Sequence, residues 1–273
     1  MRFCGLALHD PVPDAKTIWL FREQLTRAGA HQRLFDRFDA ILRERGYLAI
    51  GGQIVDATVI EARRPRLNRT EKETIKGGGV PADWNPARTR QIDRDGRWTI
   101  KRGRKRRGLP DPSGQKRQAT AEIAVPVFGY KNHVGIDRAH GFIRRAVVTH
   151  AAVHDGGQLA ALLDRDHLAS GVWADTAYRS AANLALLDRR GLVPQFQRAK
   201  PRGKPMPAHI RRGNATRAKV RARVEHVFAA QKRRLHLVIR TIGLARATTK
   251  ITLANLAYNM RRLVWIEGRA TPA

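Results

Sequence analysis

Apolar positions along the chain change their spacing several times, and each change marks an element. In "DPVPDAKTIWLFREQL" a loop ends at Asp14, and Ile18, Phe21 and Leu25 then share one helical face. "LFDRFDAILRERG" repeats that spacing and stops at Gly46. Two helices are predicted, each with one apolar face. In "YLAIGGQIVDATVIEA" the period is lost: Ile54, Val55, Val59 and Ile60 stand among small residues, the pattern of a strand buried on both faces. Residues 61–120 carry no period and are rich in Gly, Pro and cations, so they read as a mobile insertion. "IDRDGRWTI" and "VPVFGYKNHVGID" are the two stretches expected to be ordered at its far end. From residue 123 strands and helices alternate: "VFGYKNHVGID" and "GFIRRAVVTHAA" as strands, "HDGGQLAALLDRDH" as a helix, "SGVWADTAYRS" as a strand, "SAANLALLDRRG" as a helix, "LVPQFQRA" as a short strand. A basic loop then leads to a long helix from about Arg217, and "TLANLAYNMRRLVW" supplies the last one. Strands interleaved with helices predict a mixed α/β sheet.

Charge changes what this architecture is for. Lys and Arg number 53 against 23 Asp and Glu, a formal net charge of +30 over 273 residues. Such an excess repels itself in the folded state and calls for a polyanionic partner, with phosphate backbones foremost and binding that weakens steeply with salt. A membrane surface fits less well, since no basic amphipathic helix with a large aromatic face is present. There is no secretory signal and no bilayer-spanning apolar run, and the single cysteine, Cys4, reads as a small buried hydrophobe. The expected setting is reducing and cytoplasmic.

Within that basic chain a few carboxylates stand out. Asp56 lies inside an apolar strand and Asp175 directly after one; a charge there is costly unless it is paired or bound to a metal. A turn or helix cap is the competing reading, stronger for Asp175 than for Asp56. In "RARVEHVFAAQKRR", Arg221, Glu225 and Lys232 fall within about 40° of one another on a helix at about 100° per residue. Beside them runs an apolar stripe of Val220, Val224, Val227 and Leu235. The competing reading of Glu225 is a surface pair with Arg221, worth ~0.2–0.5 kcal/mol. Taken together, Asp56, Asp175 and Glu225 offer three hard oxygen donors, which suit Mg2+ or Mn2+ and not zinc. Two such ions ~3.5–4 Å apart would serve both the attacking and the leaving oxygen of a phosphodiester. Arg221 would hold phosphate as a fork and Lys232 as a point charge.

At these residues the sequence resembles the bacterial insertion-sequence DDE transposases, particularly the IS-five group beside the IS-four group. "GGQIVDATVIEA" is similar to the strand that carries the first Asp, and "VWADTAYRS" to the strand that carries the second. "DRDGRWTIKRG", "FGYKNHVGID" and "VVTHAAVHDGGQL" resemble the middle blocks. Arg221, Glu225 and Lys232 fit the family's Tyr-x2-Arg-x3-Glu-x6-Lys spacing, with Ala218 in the Tyr position; Ala177 stands where a glycine is common, and Tyr178 is kept. The resemblance implies an RNase H-like fold: a mixed five-stranded sheet with flanking helices, Asp56 on the first strand and Asp175 on the fourth. It implies a helical region at 1–48, a catalytic domain at 49–265 carrying the basic insertion, and a tail at 266–273. Only 49 residues separate Asp175 from Glu225, too few for the β-rich insertion of some IS-four relatives. The implied chemistry is metal-dependent hydrolysis at the element's ends, then attack of the freed 3′-hydroxyl on target DNA. The implied partners are DNA, both the terminal inverted repeats and the target, and a second copy of the chain on paired ends. The implied setting is the bacterial cytoplasm, beside the nucleoid. Family members have some tens of residues before "RFCGLAL", so the chain is expected to be N-terminally truncated. A nuclease that cuts without joining, and an inactive DNA-binding remnant, are the rival readings.

Other residues carry two readings each. Trp98 stacks on an unpaired base or anchors a loop. Lys131 and Asn132 contact DNA or form a solvated face, and Tyr178 joins them as a candidate DNA contact. His133 faces the metal site or is satisfied by a neighbour. The basic run Lys101–Arg107 is expected to touch phosphate without sequence preference. His150 and His154 lack the further ligands a zinc site needs.

Overall fold

The computed structural model describes residues 7, 9–104 and 122–270. It is an α/β structure built on a mixed six-stranded sheet. β1 (Gln53–Glu61) lies in the middle. On one side it pairs antiparallel with β3 (Glu122–Asp137), whose other edge carries β4 (Ile143–His150). On the other side β1 pairs parallel with β5 (Gly171–Ala174), and β5 pairs parallel with β6 (Val193–Phe196). The predicted five strands are all present. The sixth, β2 (Arg97–Arg104), comes from the insertion and pairs with the first half of β3.

Alternation along β1 decides which side chain faces which layer. Ile54 packs with Val134, Ile136, Val224, Val227 and Leu256, while Val55 packs with Leu159, Leu162, Val172 and Leu187. One face is therefore covered by α7 (Ala208–Arg221), α8 (Val224–Ala229) and α9 (Leu244–Ala270). The other is covered by α5 (Leu159–Leu162) and α6 (Ala181–Arg189). Gly129 sits where two ladders meet, opposite both Glu61 and Arg97. A Cβ there would stand 2.1 Å from the Ile60 carbonyl oxygen, so only glycine lets β3 serve both neighbours.

Four expectations change. First, residues 69–91 of the predicted mobile insertion form α3 (Arg69–Lys76) and α4 (Pro86–Gln91). Their starts are set by Asn68, which forms a capping box with Glu71, and by Asn85. Buried Glu71 also accepts hydrogen bonds from Trp84 Nε1 and Arg88, so a carboxylate and not an apolar face holds this segment. Residues 105–121 lie outside the described residues.

Second, α1 (Ala15–Arg27) is held by polar residues and not by its apolar face. Glu23 takes a forked pair from Arg246, and Thr26 bonds Thr249, which fixes α1 on α9 by polar contacts. Ile18 and Phe21 are left exposed. α2 (Ala30–Glu44) does turn Phe35 and Leu42 inward.

Third, the long helix starts earlier and is not continuous. After α7, Ala222 and Arg223 keep helical dihedrals, but the Arg223, Glu225 and His226 amides bond three residues back. The chain is overwound there, then underwound into a π turn over Ala230–Arg234, where the Leu235 amide reaches Ala230. Fourth, α9 runs through residues 266–270, which were read as tail.

Candidate catalytic site

Asp56 occupies the centre of β1, with Val134 directly opposite on β3. Period-two alternation turns it, with Ile54 and Thr58, toward the α7–α8 layer. It is 8 % exposed. One oxygen accepts from the Ala57 amide at 2.8 Å. The other is paired with the Arg221 guanidinium at the end of α7. The bland reading of Arg221, a surface pair with Glu225, is not realised: the arginine reaches across the fold to the strand. Burial pushes the Asp56 carboxyl up to about 6, against the pull of Arg221 and the Ala57 amide, and the charges of Asp175 and Glu225 push it further the same way. Asp56 thus feels the charges of two acids that come from other elements.

Asp175 follows β5, half-buried, and its Oδ1 accepts from the Ala177 amide at 2.9 Å, capping a short 3-10 turn over Thr176–Tyr178. The cap reading describes this residue. Glu225, in the first turn of α8, is exposed and makes no ion pair among the described residues. Lys232, in the π turn, donates to Thr58 Oγ1 at 2.5 Å. Its amine is held below the usual range by burial first and by the charge of Lys101 on β2 second. Thr58 was not singled out in the sequence, yet its position two residues after Asp56 puts it on the same face.

The remaining candidates are placed less openly than expected. Asn132 is 0 % exposed; it donates to Gln231 and Asn255, which also bond each other. That buried amide triad ties β3 to the π turn and α9, and leaves Asn132 no surface for DNA. Tyr178 is 0 % exposed, packed on the α5–α6 side with its hydroxyl unpartnered. Lys131 pairs with Asp155 at 2.8 Å and donates to the Val153 carbonyl. His133 lies on the face away from Asp56; its Nε2 is bonded to Thr149 Oγ1, while its buried Nδ1 has no hydrogen-bond partner among the described residues. Trp98 is 44 % exposed, with its ring against Phe128 and the Arg64 guanidinium over it. Of the basic run, Lys101 is described and residues 105–107 lie outside the described residues.

Residues 48–260 match the family model of the transposase DDE domain. The chain belongs to that family. No solved structure matches it. Membership in a transposase family makes DNA the partner, and among the described residues no helix is long and apolar enough to cross a membrane. Family members normally use a divalent metal, and here the donor chemistry fits: three carboxylates and no sulfur or imidazole, the set that suits Mg2+ or Mn2+. Among the described residues no three His, Cys, Asp or Glu side chains converge closely enough to hold an ion. In this arrangement of the transposase domain, Arg221 provides the positive charge that Asp56 needs.

Proposed function

We propose that this transposase cuts DNA at the ends of its element and joins the freed 3′-hydroxyl to target DNA, with Asp56, Asp175 and Glu225 as its metal ligands. The observation that supports the reading is the carboxylate on the central strand, buried, paired with Arg221 and sensing both other acids. When bound, Mg2+ would lower the barrier to attack on the phosphodiester and stabilise the leaving oxygen. The chain's own residues do the rest. Asp56 and Asp175 are held by backbone amides, so their oxygens are oriented before anything binds. Arg221 leaves Asp56 for a phosphate, and its fork fixes the strand. Lys232, released from Thr58, supplies a second point charge, with Lys101 behind it. As Arg221 moves to the backbone, Asp56 is freed to join the acids that would hold the metal. The protein acts as a dimer on paired ends in the bacterial cytoplasm.

The test is incubation of a labelled element end with Mg2+, in the full chain and in Asp175→Ala. Nicking and joined product in the former and neither in the latter are expected. Nicking that depends on Asp175 but never yields joined product would replace the transposase mechanism with that of a nuclease. Equal DNA binding with no cutting in either protein would leave only a binding role.

A further inference from the structure

A second cationic surface lies apart from the three acids. It is a cleft of about 950 Å³ walled by α1, by α4 and the loop before β2, by residues 240–243 and by the first turns of α9. Arg22, Arg90, Arg94, Arg240 and Lys250 line it, with Trp19 at its edge. Among the described residues, Arg22, Arg90, Arg94 and Arg240 have no carboxylate partner. The acids nearby are already engaged: Glu23 takes the fork of Arg246, and Asp95 caps the Leu244 amide at the start of α9. The Lys250 amine, which shares the cleft with Arg22 and Arg240, is held down by burial first and then by the charges of these two arginines. The Thr241 hydroxyl, also lining the cleft, is buried without a hydrogen-bond partner. Cations crowded together with their local acids committed elsewhere raise the energy of the free protein and are relieved by an anion. A small-molecule pocket of this size would be lined mainly by apolar side chains. A wall of arginines with one exposed Trp suits a phosphate backbone with a sugar or base against the ring.

We propose that this cleft is a second DNA-binding surface, which grips the phosphate backbone of a DNA segment beyond the one held at the acids. It rests on the reading that DNA is the partner. The one carboxylate lining the cleft, Asp95, is taken up by the Leu244 amide, and no side-chain amide lines it, so the grip is independent of sequence. The helices of the N-terminal region thereby act together with the insertion and α9 as one clamp, joined through the Glu23–Arg246 pair.

The test is the binding of a fluorescent 30-base-pair duplex of arbitrary sequence, in EDTA, across a series of salt concentrations. The full chain is compared with Arg90→Ala/Arg94→Ala/Arg240→Ala and with the same three sites as Lys. Each phosphate contact adds about 0.9 to the slope of log affinity against log salt. The Ala variant should lose about 2 to 3 of that slope and at least tenfold in affinity near physiological salt, and the Lys variant should keep the slope. Single Arg90→Ala and Arg240→Ala changes, both at exposed residues, should each lose about one, so the result does not hang on the triple variant folding. A steep slope that is equal in all variants would overturn the cleft while leaving the DNA reading intact. A flat slope in the unaltered chain would overturn both. Competition by polyglutamate as strong as by an equal charge of DNA would overturn the assignment to nucleic acid.

Discussion

Single residues show where the sequence spoke clearly and where it did not. Asp56 was legible because a charge inside an apolar strand has no cheap structural explanation, and the structure gives it an arginine and two acidic neighbours. Asn132 was not, because a polar residue in a strand is equally at home on a wet face or in a buried network. Its partners, Gln231 and Asn255, lie far along the chain. Asn132→Ala should therefore cost about 1–3 kcal/mol in denaturant unfolding, by orphaning the Gln231 and Asn255 amides, and leave the salt slope of DNA binding unchanged. Lys232→Ala should do the reverse, lowering the slope by about one with little effect on stability. His133 makes a pH prediction. Burial first, then the charge of Lys131, hold its ring at about 4 against an ordinary 6.5, with Asp155 pulling only partly the other way. The unfolded chain takes up this proton at about 6.5 while the folded chain refuses it until about 4, so stability falls as pH drops across that window. Relative to His133→Asn, the unaltered chain should lose about 3 kcal/mol between pH 7 and pH 4, read from unfolding midpoints at each pH. A constant difference would mean that the ring is hydrated.

At the scale of elements, what was legible followed from apolar spacing, and what was missed is held by polar contacts. β1, β3, β5 and β6 declare themselves as apolar runs. The helices of the insertion do not, since their anchor is one buried glutamate receiving Trp84 and Arg88. The same holds for α1: its Ile18, Phe21 and Leu25 obeyed helical spacing, yet Glu23 and Thr26 make the contacts with α9. The change of winding after α7 also escapes the sequence, for neither Pro nor Gly marks it. Arg221 and Lys232, which reach Asp56 and Thr58 on β1, stand on either side of it. The turn between β3 and β4 is pinned by another polar knot. Asp137, fully buried, accepts from the His140 and Phe142 amides and from Arg144, which reaches on to Asp39 of α2. Arg144→Ala removes the only guanidinium that reaches that buried acid among the described residues, and a loss of about 3–5 kcal/mol in unfolding free energy is expected. A loss below about 1 kcal/mol would mean that the turn amides alone satisfy Asp137.

For the whole molecule, net charge and topology together explain the layout. The chain carries a net charge of +30, and its one buried cation among the described residues, Arg144, is paired with Asp137 and Asp39, which leaves the excess positive charge for phosphates. The parallel pairing of β1 with β5 brings Asp56 and Asp175 to neighbouring strands, and α8, which carries Glu225, packs on the same face of the sheet as Asp56. Neither the family match nor the composition alone says that these three oxygen donors form one site; the claim rests on the buried Asp56 of the central strand, on Asp175 at the end of the adjoining strand and on the charges of Asp175 and Glu225 felt at Asp56. Mn2+ titration of the metal-free chain, followed by calorimetry, tests it most directly, with Asp56→Asn, Asp175→Asn and Glu225→Gln beside it. Each single variant should weaken the tightest binding at least tenfold, and combining two should cost far less than the sum, as expected of ligands to one centre. Tight Mn2+ binding that survives unchanged in any one of the three would contradict a shared site.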